Sequence, residues 1–129
     1  MSIKIENLNK HPEYIKVVTD WIYSEWGNNN YNYWKEWINN SLNDKVPMTF
    51  IVLVDNIPAG TFSLWTCDIQ SRQDLTPWFG GLYVVQEYRG KLYNNEKLGS
   101  LMQKHAIKVL KELKYETAYL FTKKNWLLY

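Results

Sequence analysis

The spacing of apolar and polar positions predicts a short strand and two helices in the first third of the chain. Ile3 and Ile5 alternate around a lysine, and this period of two is typical of a strand. Residues 11–13 contain a proline in the position that is common in a first helical turn. Gly27 is expected to end the first helix, and residues 31–42 predict a second. The first helix is marked by apolar residues at helical spacing: Ile15, Val18, Ile22 and Trp26.

The pattern then changes to strands. Residues 48–54 (MTFIVLV) form an apolar run rich in β-branched residues, which predicts a buried strand. Asp55-Asn56 is a turn signal, and residues 59–67 predict the returning strand of a hairpin. The remaining predicted elements are a strand at 78–85, a polar, turn-like stretch at 88–97, an amphipathic helix at 98–113 and a last strand at 117–122.

This order of elements predicts an α+β fold. The final strand–helix–strand unit implies a parallel pair with a right-handed crossover, whereas the hairpin implies an antiparallel part. We therefore expect one domain, residues 1–129, with a mixed, mostly antiparallel sheet flanked by helices. A chain of this length buries enough surface for one core.

Composition and charge argue against several classes of function. The net charge is +2, so no strong field attracts nucleic acid. The N-terminal residues carry charges throughout, unlike a secretory signal peptide, and the apolar runs are too short to cross a membrane. The single cysteine, Cys67, excludes an internal disulfide and is typical of a reducing compartment. We expect a cytoplasmic protein that binds neither nucleic acid nor membranes.

Most isolated chemistry-bearing side chains are interpreted as structural. Cys67 lies in a strand pattern with no histidine nearby, which favours a small core residue over a nucleophile. His105 shares a helix stripe with apolar residues, which favours a place in the core or at its edge over a catalytic base. Asp68 and Asp74 lie between two strands; solvated acids are favoured, and attraction of a cationic substrate stays open. No His/Cys cluster has metal-ligand spacing, so no metal site is predicted.

Two further sets of residues leave alternatives open. The chain has 7 Trp and 10 Tyr, whose apolar rings build cores and whose polar tips suit binding clefts. Trp34 and Trp37 of the second helix therefore line either the core or a substrate side. Four lysines recur along the long helix, and a solvated face is favoured over a nucleic-acid surface: Lys104, Lys108, Lys111 and Lys114.

The stretch with the most chemical information, residues 78–102, reads WFGGLYVVQEYRGKLYNNEKLGSLM. A strand leads into a loop that holds Arg89, Gly90 and Lys91, and Gly99 sits at the start of the long helix. Glycine lets the backbone approach a ligand closely, and a helix N-terminus presents free N–H groups. These features suit a pyrophosphate site, although spacing alone favours a basic turn.

This stretch resembles the central motif of the GNAT N-acetyltransferases, most closely the bacterial members. Residues 82–84 (LYV) are similar to the end of the family's strand, and residues 87–91 (EYRGK) to its turn and loop. Residues 98–102 (LGSLM) are similar to the entry of its helix. The order of elements is similar over nearly the whole chain. The resemblance implies a GNAT-like acyl-CoA N-acyltransferase fold and acetyl-CoA as cosubstrate.

The resemblance also implies which residues bind the cosubstrate. Backbone groups of three strand residues are expected to bind the pantetheine arm: Leu82, Tyr83 and Val84. Main-chain amides of the loop and the helix start are expected to hold the pyrophosphate: Arg89, Gly90, Lys91, Gly99 and Ser100. Tyr129 is similar in position to a tyrosine that protonates the departing CoA sulfur, so a catalytic role is carried to Tyr129 alone.

The sequence departs from the family pattern in two places. Residues 92–97 interrupt a loop that normally runs on without a break, and the middle glycine of that loop is missing. The family also continues past the last predicted strand, so we expect a sheet that lacks the last strands. An open sheet edge invites pairing with another chain, and we therefore predict self-association as a homodimer.

These inferences combine into one expected function and one alternative. We expect an enzyme that transfers acetyl from acetyl-CoA to a primary amine of a small molecule or peptide by direct attack on the thioester. The alternative is a non-catalytic, truncated GNAT-fold module that binds CoA or has a regulatory role. The sequence leaves the acceptor open.

Overall fold

The helices and strands follow the order that the hydrophobic pattern predicts, with one addition. The structure is a computed structural model, and it describes residues 1–28, 30–68 and 70–120. Its elements are β1 (Ile3–Asn7), α1 (Ile15–Trp26), α2 (Tyr31–Asn39), β2 (Met48–Val54), β3 (Ile57–Trp65), β4 (Trp78–Val84), β5 (Leu92–Tyr93), β6 (Glu96–Lys97), α3 (Leu98–Glu112) and β7 (Tyr119–Leu120).

The central sheet is mixed and mostly antiparallel, which confirms the predicted fold class. Its strand order is β1-β2-β3-β4-β7, and each neighbour pair from β1 to β4 is antiparallel. β7 runs parallel to β4, and α3 is the connection between them. This parallel pairing covers only Trp78 with Tyr119 and Phe79 with Leu120.

Two apolar clusters cover the two faces of the sheet. β2 contributes to both, because successive residues of a strand point to opposite faces. Phe50 and Val52 pack under α3, whereas Ile51 and Leu53 pack against α1 and α2. All seven residues of β2 are buried, as the continuous apolar run predicts.

Several boundaries differ from the predicted ones. β3 ends at Trp65, so Cys67 lies beyond the strand and is half-buried, which corrects its prediction as a strand residue of the core. α2 ends at Asn39 instead of residue 42.

Among the described residues, no helix is both long enough and apolar enough to cross a bilayer.

The stretch from residue 88 to 97, predicted as a turn-like connection, contains the small hairpin β5–β6. Asn94 and Asn95 both have positive φ, 51° and 67°, as the central residues of a type I′ turn require. The side chain of Tyr93 is buried in the cluster under α3, with its ring centre 6.3 Å from that of Tyr88. The insertion is therefore a folded element that the core holds in place.

Candidate functional site

β4 carries a bulge in its middle, at the second of two adjacent glycines and the residue that follows it. In the ladder with β3, Gly81 and Leu82 together stand opposite one residue, Phe62. Gly81 has φ +60°, a left-handed conformation that glycine adopts without steric cost. The bulge leaves Gly81 and Leu82 outside the ladder with β3, and bulges of this kind are common beside active sites.

The bulge also changes which side chains face which side of the sheet. Phe79 before it and Val84 after it both pack in the cluster under α3, although strict alternation would place them on opposite faces. Tyr83 therefore faces the other side, where its ring stacks on Trp21 of α1 with 5.4 Å between ring centres. The glycines thus decide the orientation of the last part of β4.

β4 and β7 lie side by side over only two residues of each strand. Within the described part of the chain, their pairing stops at Phe79 and Leu120, and no strand borders β4 from Gly80 to Val84 on that side. The three residues predicted to bind pantetheine through their backbone, Leu82, Tyr83 and Val84, lie in this open stretch. A ligand could therefore approach the edge of β4 here.

The side chain of Arg89 fixes the loop after β4 to the end of that strand. Its Nε donates a hydrogen bond to the carbonyl of Val84 at 2.6 Å, and its guanidinium lies 5.4 Å from the centre of the Tyr83 ring. Gly90 has φ +74°, and a Cβ there would meet no atom within 4 Å. Lys91 is exposed. Arg89 therefore positions the loop, while Gly90 and Lys91 remain open to solvent.

The hairpin keeps the two halves of the predicted pyrophosphate site together. Leu92 pairs with Lys97, so the two ends of the insertion lie side by side at the base of the hairpin. Lys91 and Leu98 flank that base. The six inserted residues consequently form a side loop, and the basic loop still leads into the start of α3.

The start of α3 has no side-chain cap. Lys97 makes no capping hydrogen bond, and the first turn contains no acidic residue. The first N–H groups of a helix have no partner within the helix, and they carry partial positive charge. A Cβ at Gly99 would meet no atom within 4 Å, and Ser100 beside it is exposed. The structure therefore places Gly99 and Ser100 in a first turn that is open to an anion.

A cleft of about 870 Å³ runs along β4 on the side of α1 and α2. Its walls are mainly aromatic and apolar, and it extends from the helix ends to the bulge. A second cavity of about 580 Å³ adjoins it, because the two share Trp34, Trp65, Asp68 and Gln70. The described residues that line the larger cleft are Trp26, Asn28, Trp34, Trp65, Asp68, Gln70, Ser71, Phe79, Gly80, Gly81, Leu82 and Leu120.

The indole ring of Trp65 lies directly over the two glycines of β4. A Cβ at Gly80 would come within 2.8 Å of that ring, and one at Gly81 within 3.0 Å. Only glycine leaves room for the ring at this distance, which gives the Gly-Gly pair a second role beside the bulge. Because Gly80 and Gly81 have no side chains, the ring of Trp65 lies flat against β4 and forms part of the cleft wall.

Three indole N–H groups near the cleft are buried without a hydrogen-bond partner among the described residues. They belong to Trp34, Trp37 and Trp65. A buried donor without a partner costs free energy, and most such groups in folded proteins are paired. The three rings are packed together, with the Trp37 ring centre 5.9 Å from Trp34 and 5.4 Å from Trp65.

The two acids between β3 and β4 differ in their surroundings. Asp74 accepts two hydrogen bonds of 3.0 Å from Arg72, and this pairing lowers the pKa of its carboxyl. Asp68 lines both cavities, and its Oδ2 would be 3.4 Å from a Cβ at Gly80. Although Asp68 as a whole residue is exposed, desolvation of its carboxylate against this wall raises its pKa. Both acids are exposed, as predicted for solvated acids, and Asp68 also lines the cleft.

Similar folds occur among solved structures. No family model matches the sequence, and no curated protein matches it. A predicted acetyltransferase from Clostridium acetobutylicum, solved with acetyl-CoA, has a TM-score of 0.69 at 13% identity over 95% of this chain and 82% of that one. A GCN5-related N-acetyltransferase from Ralstonia eutropha JMP134 has a TM-score of 0.65 at 12% identity over 95% and 85%. Spermidine N-acetyltransferase from Vibrio cholerae, in complex with CoA and spermine, has a TM-score of 0.62 at 16% identity over 92% and 69%.

The chain has the GNAT N-acetyltransferase fold. This confirms the fold that the motif at residues 82–102 implied, and at these identities the likeness concerns the fold alone. Of the predicted site residues, the structure brings the strand, loop and helix-start positions to one end of β4. Tyr129, predicted to be the proton donor, lies outside the described residues.

Two parts of this GNAT-fold site were not predicted from the sequence. They are the bulge at Gly81 and the position of Trp65 over β4, although a glycine inside a strand pattern is a recognised bulge signal. Trp34 and Trp37 line the cavities and also pack against the apolar cluster under α1 and α2, so both alternatives for them stay open. His105 is half-buried against Phe50 with 5.6 Å between ring centres, which confirms its place at the edge of the core. Lys104, Lys108 and Lys111 of α3 are exposed, as predicted, and so is Lys114, which lies beyond the end of the helix at Glu112.

Proposed function

We propose that this chain is an acetyl-CoA-dependent N-acetyltransferase that acetylates a primary amine. The observation that carries the proposal is the open, bulged edge of β4 beside the aromatic cleft, with the uncapped start of α3 at the end of the same strand. This arrangement offers backbone groups for an extended arm, free N–H groups for phosphates and a cavity for a second reactant.

The residues present fit the proposed cosubstrate. Backbone groups of Leu82, Tyr83 and Val84 would bind the pantetheine arm along the open edge. The main-chain N–H of Arg89, predicted to hold the pyrophosphate, already donates to the carbonyl of Gln86 at 3.1 Å. Gly90 and Lys91 of the loop and the first turn of α3 at Gly99 and Ser100 would therefore hold the pyrophosphate, where the absence of side chains at both glycines leaves room. Acetyl-CoA, when bound, supplies an acetyl group activated as a thioester.

The role of the cleft is to hold the amine next to that thioester. An alkylamine has a pKa near 10, so its nitrogen must lose a proton before its electron pair can form the new bond to the acetyl carbon. The carbon–sulfur bond breaks in the same exchange, and the sulfur takes up a proton to leave as the CoA thiol. A backbone N–H near Val84 would stabilise charge on the acetyl oxygen, and Tyr129 is our proposed proton donor to sulfur.

Acceptor, location and assembly are part of the proposal. The Vibrio cholerae relative binds spermine, which supports a small-molecule amine over a peptide here. We also propose that the protein is a homodimer, because the described part of β7 lies at the end of the sheet with no described strand on its outer side. The single cysteine supports a cytoplasmic location. Sedimentation of a clean monomer at high micromolar concentration would contradict the dimer.

Calorimetric titration with acetyl-CoA tests the cosubstrate directly. We expect binding, and at a hundred times the dissociation constant a stabilisation of about 2.7 kcal/mol. Gly99→Glu should abolish binding without unfolding the protein, because the new side chain enters open space and brings negative charge to the anion site. Lys108→Gln is the matched control: it makes the same change of net charge on an exposed position of α3 and should bind normally.

Release of CoA thiol with a panel of amines tests the enzymatic activity. Turnover with at least one amine is expected. Binding of acetyl-CoA with no turnover on any amine would favour the alternative, a CoA-binding or regulatory module. No binding of acetyl-CoA at millimolar concentration would overturn the proposal.

A further inference from the structure

We propose that the acceptor is a monoamine whose ammonium group is joined by a short linker to a flat aromatic body, and that Asp68 and the tryptophans of the cleft hold it. This inference rests on the proposed function and names the substrate class for its acceptor side. It draws on three independent features of the cleft: its charges, its walls and its unpaired N–H groups.

The charges of the cleft suit one cation. Asp68 is the single carboxylate among the described residues that line the two cavities, and none of those described residues is a lysine or an arginine. Within the described part of the chain, no ion pair or hydrogen bond occupies Asp68, whereas nearby Asp74 is bound to Arg72. A polyamine carries several cations along its length, and each further cation would be buried here without a counter-charge.

The walls of the cleft suit a flat apolar body. Trp26, Trp34 and Trp65 present aromatic surface, and Leu82 and Leu120 add apolar surface. Aromatic rings stack on one another in offset or edge-to-face geometry, and an ammonium group is attracted to the face of an indole. An amine with an aromatic body one or two carbons from its nitrogen can use both kinds of contact at once.

The unpaired indole N–H groups suit a ligand that bears an oxygen. Trp65 is 8% exposed, lines both cavities, and has no hydrogen-bond partner for its Nε1 among the described residues; the same is true of the Nε1 of Trp34. A phenolic oxygen on the aromatic body would accept from one of them and remove the cost of an unpaired donor. The geometry therefore favours a hydroxylated arylalkylamine over the unsubstituted one.

Calorimetric titration of the full chain with four amines tests this order of preference. The probes are tyramine, 2-phenylethylamine, 2-cyclohexylethylamine and spermidine, each with and without CoA. We expect affinity to fall in that order, with a difference of about tenfold or more between tyramine and spermidine. Spermidine binding as tightly as tyramine, or 2-cyclohexylethylamine as tightly as 2-phenylethylamine, would overturn the inference.

Three variants assign the contacts. Asp68→Asn keeps the shape of the side chain and should weaken tyramine binding about tenfold or more, because the charge-assisted contact is lost. Asp74→Asn is the matched control and should bind like the unmodified chain. Trp34→Phe keeps an aromatic wall and should reduce the preference for tyramine over 2-phenylethylamine. Unchanged tyramine affinity in Asp68→Asn, with a thermal melt that shows the protein folded, would contradict the inference.

The outcomes also separate this inference from the proposed function. If acetyl-CoA binds and spermidine is the preferred acceptor, the function stands and the substrate class is wrong. If tyramine binds in an Asp68-dependent way and acetyl-CoA does not bind, the acceptor cleft stands and the acetyltransferase activity is wrong.

Discussion

The two faces of the central sheet both carry clusters of aromatic rings, and the clusters differ in polarity. Under α3, the rings of Phe50, Phe62 and Phe79 stack in a row with ring centres 4.9 and 5.3 Å apart. On the face of α1 and α2, Trp37 and Trp65 pack at 5.4 Å and bury indole N–H groups that have no partner among the described residues. The phenylalanine rings carry no polar groups, so the first cluster needs no hydrogen bonds. The second cluster contains indole N–H donors for which the described residues provide no acceptor. A high aromatic content therefore supports stability on one face and indicates a ligand on the other.

Truncation within the phenylalanine cluster should have the largest effect. Phe62 is fully buried between two other rings, so Phe62→Ala removes apolar contacts and leaves a cavity. We expect the free energy of unfolding, measured with urea, to fall by about 3–5 kcal/mol. A loss below about 1 kcal/mol would mean that this cluster does not carry the stability of the sheet.

A methyl group under the tryptophan cluster should have the next largest effect. Gly81→Ala places a Cβ about 3 Å from the Trp65 ring at a residue with positive φ, so we expect a loss of about 1–3 kcal/mol together with a shift in tryptophan fluorescence. Gly90→Ala is the matched control, because it has the same backbone strain and open space around it. Equal losses in the two variants would show that Trp65 does not rest on the strand.

A pair of tryptophan substitutions compares an indole N–H that makes a hydrogen bond with one that has no partner among the described residues. The Nε1 of Trp78 donates to the carbonyl of Leu75 at 2.6 Å, whereas that of Trp34 has no partner in the described chain. Trp78→Phe should cost at least about 1 kcal/mol more unfolding free energy than Trp34→Phe, because only Trp78→Phe removes a hydrogen bond, the one to the carbonyl of half-buried Leu75. Chemical denaturation of both variants measures the difference. The reverse order would indicate that the Trp34 N–H is already satisfied.

The smallest expected effect is a pH dependence of the free energy of unfolding, caused by His105 next to the phenylalanine cluster. Burial against Phe50 is the main reason that the pKa of His105 lies below its ordinary value of 6.5; Lys108 also lowers it, while Glu112 opposes the shift. The unfolded chain therefore takes up this proton first, and stability is lost as the pH falls through 6.5. His105→Leu should lose less stability than the unmodified chain between pH 7.5 and pH 5.5. Parallel curves for the two proteins would show that His105 does not titrate differently on folding.

Most of the fold followed from local patterns. The buried run at β2, the stripe of α3 and the turn at Asp55-Asn56 are each set by neighbours in sequence, and each was predicted. The hairpin β5–β6 was missed because its six residues are mostly polar and its turn lacks glycine. Asn94 and Asn95 form the turn because asparagine tolerates a positive φ.

The site was less predictable because it depends on contacts between distant segments. The motif identified Leu82, Arg89 and Gly99 as residues that bind the cosubstrate, and that role stays a prediction. It could not show that Trp65 would lie on Gly80, or that Asp68 would line the cleft while Asp74 would not. These are differences of tertiary placement between residues of the same type, which periodicity and spacing do not distinguish.

The buried anchor of the inserted hairpin has a consequence for the kinetics of cosubstrate binding. Tyr93 is held in the core, and Glu96 pairs with Lys104, so the loop that joins the basic turn to α3 is already ordered. A flexible loop of this length would lose conformational entropy when a ligand arrived, and that loss would weaken affinity. With the loop preorganised, association should be close to rigid-body docking and single-phased, with most variation among CoA analogues appearing in their rates of dissociation.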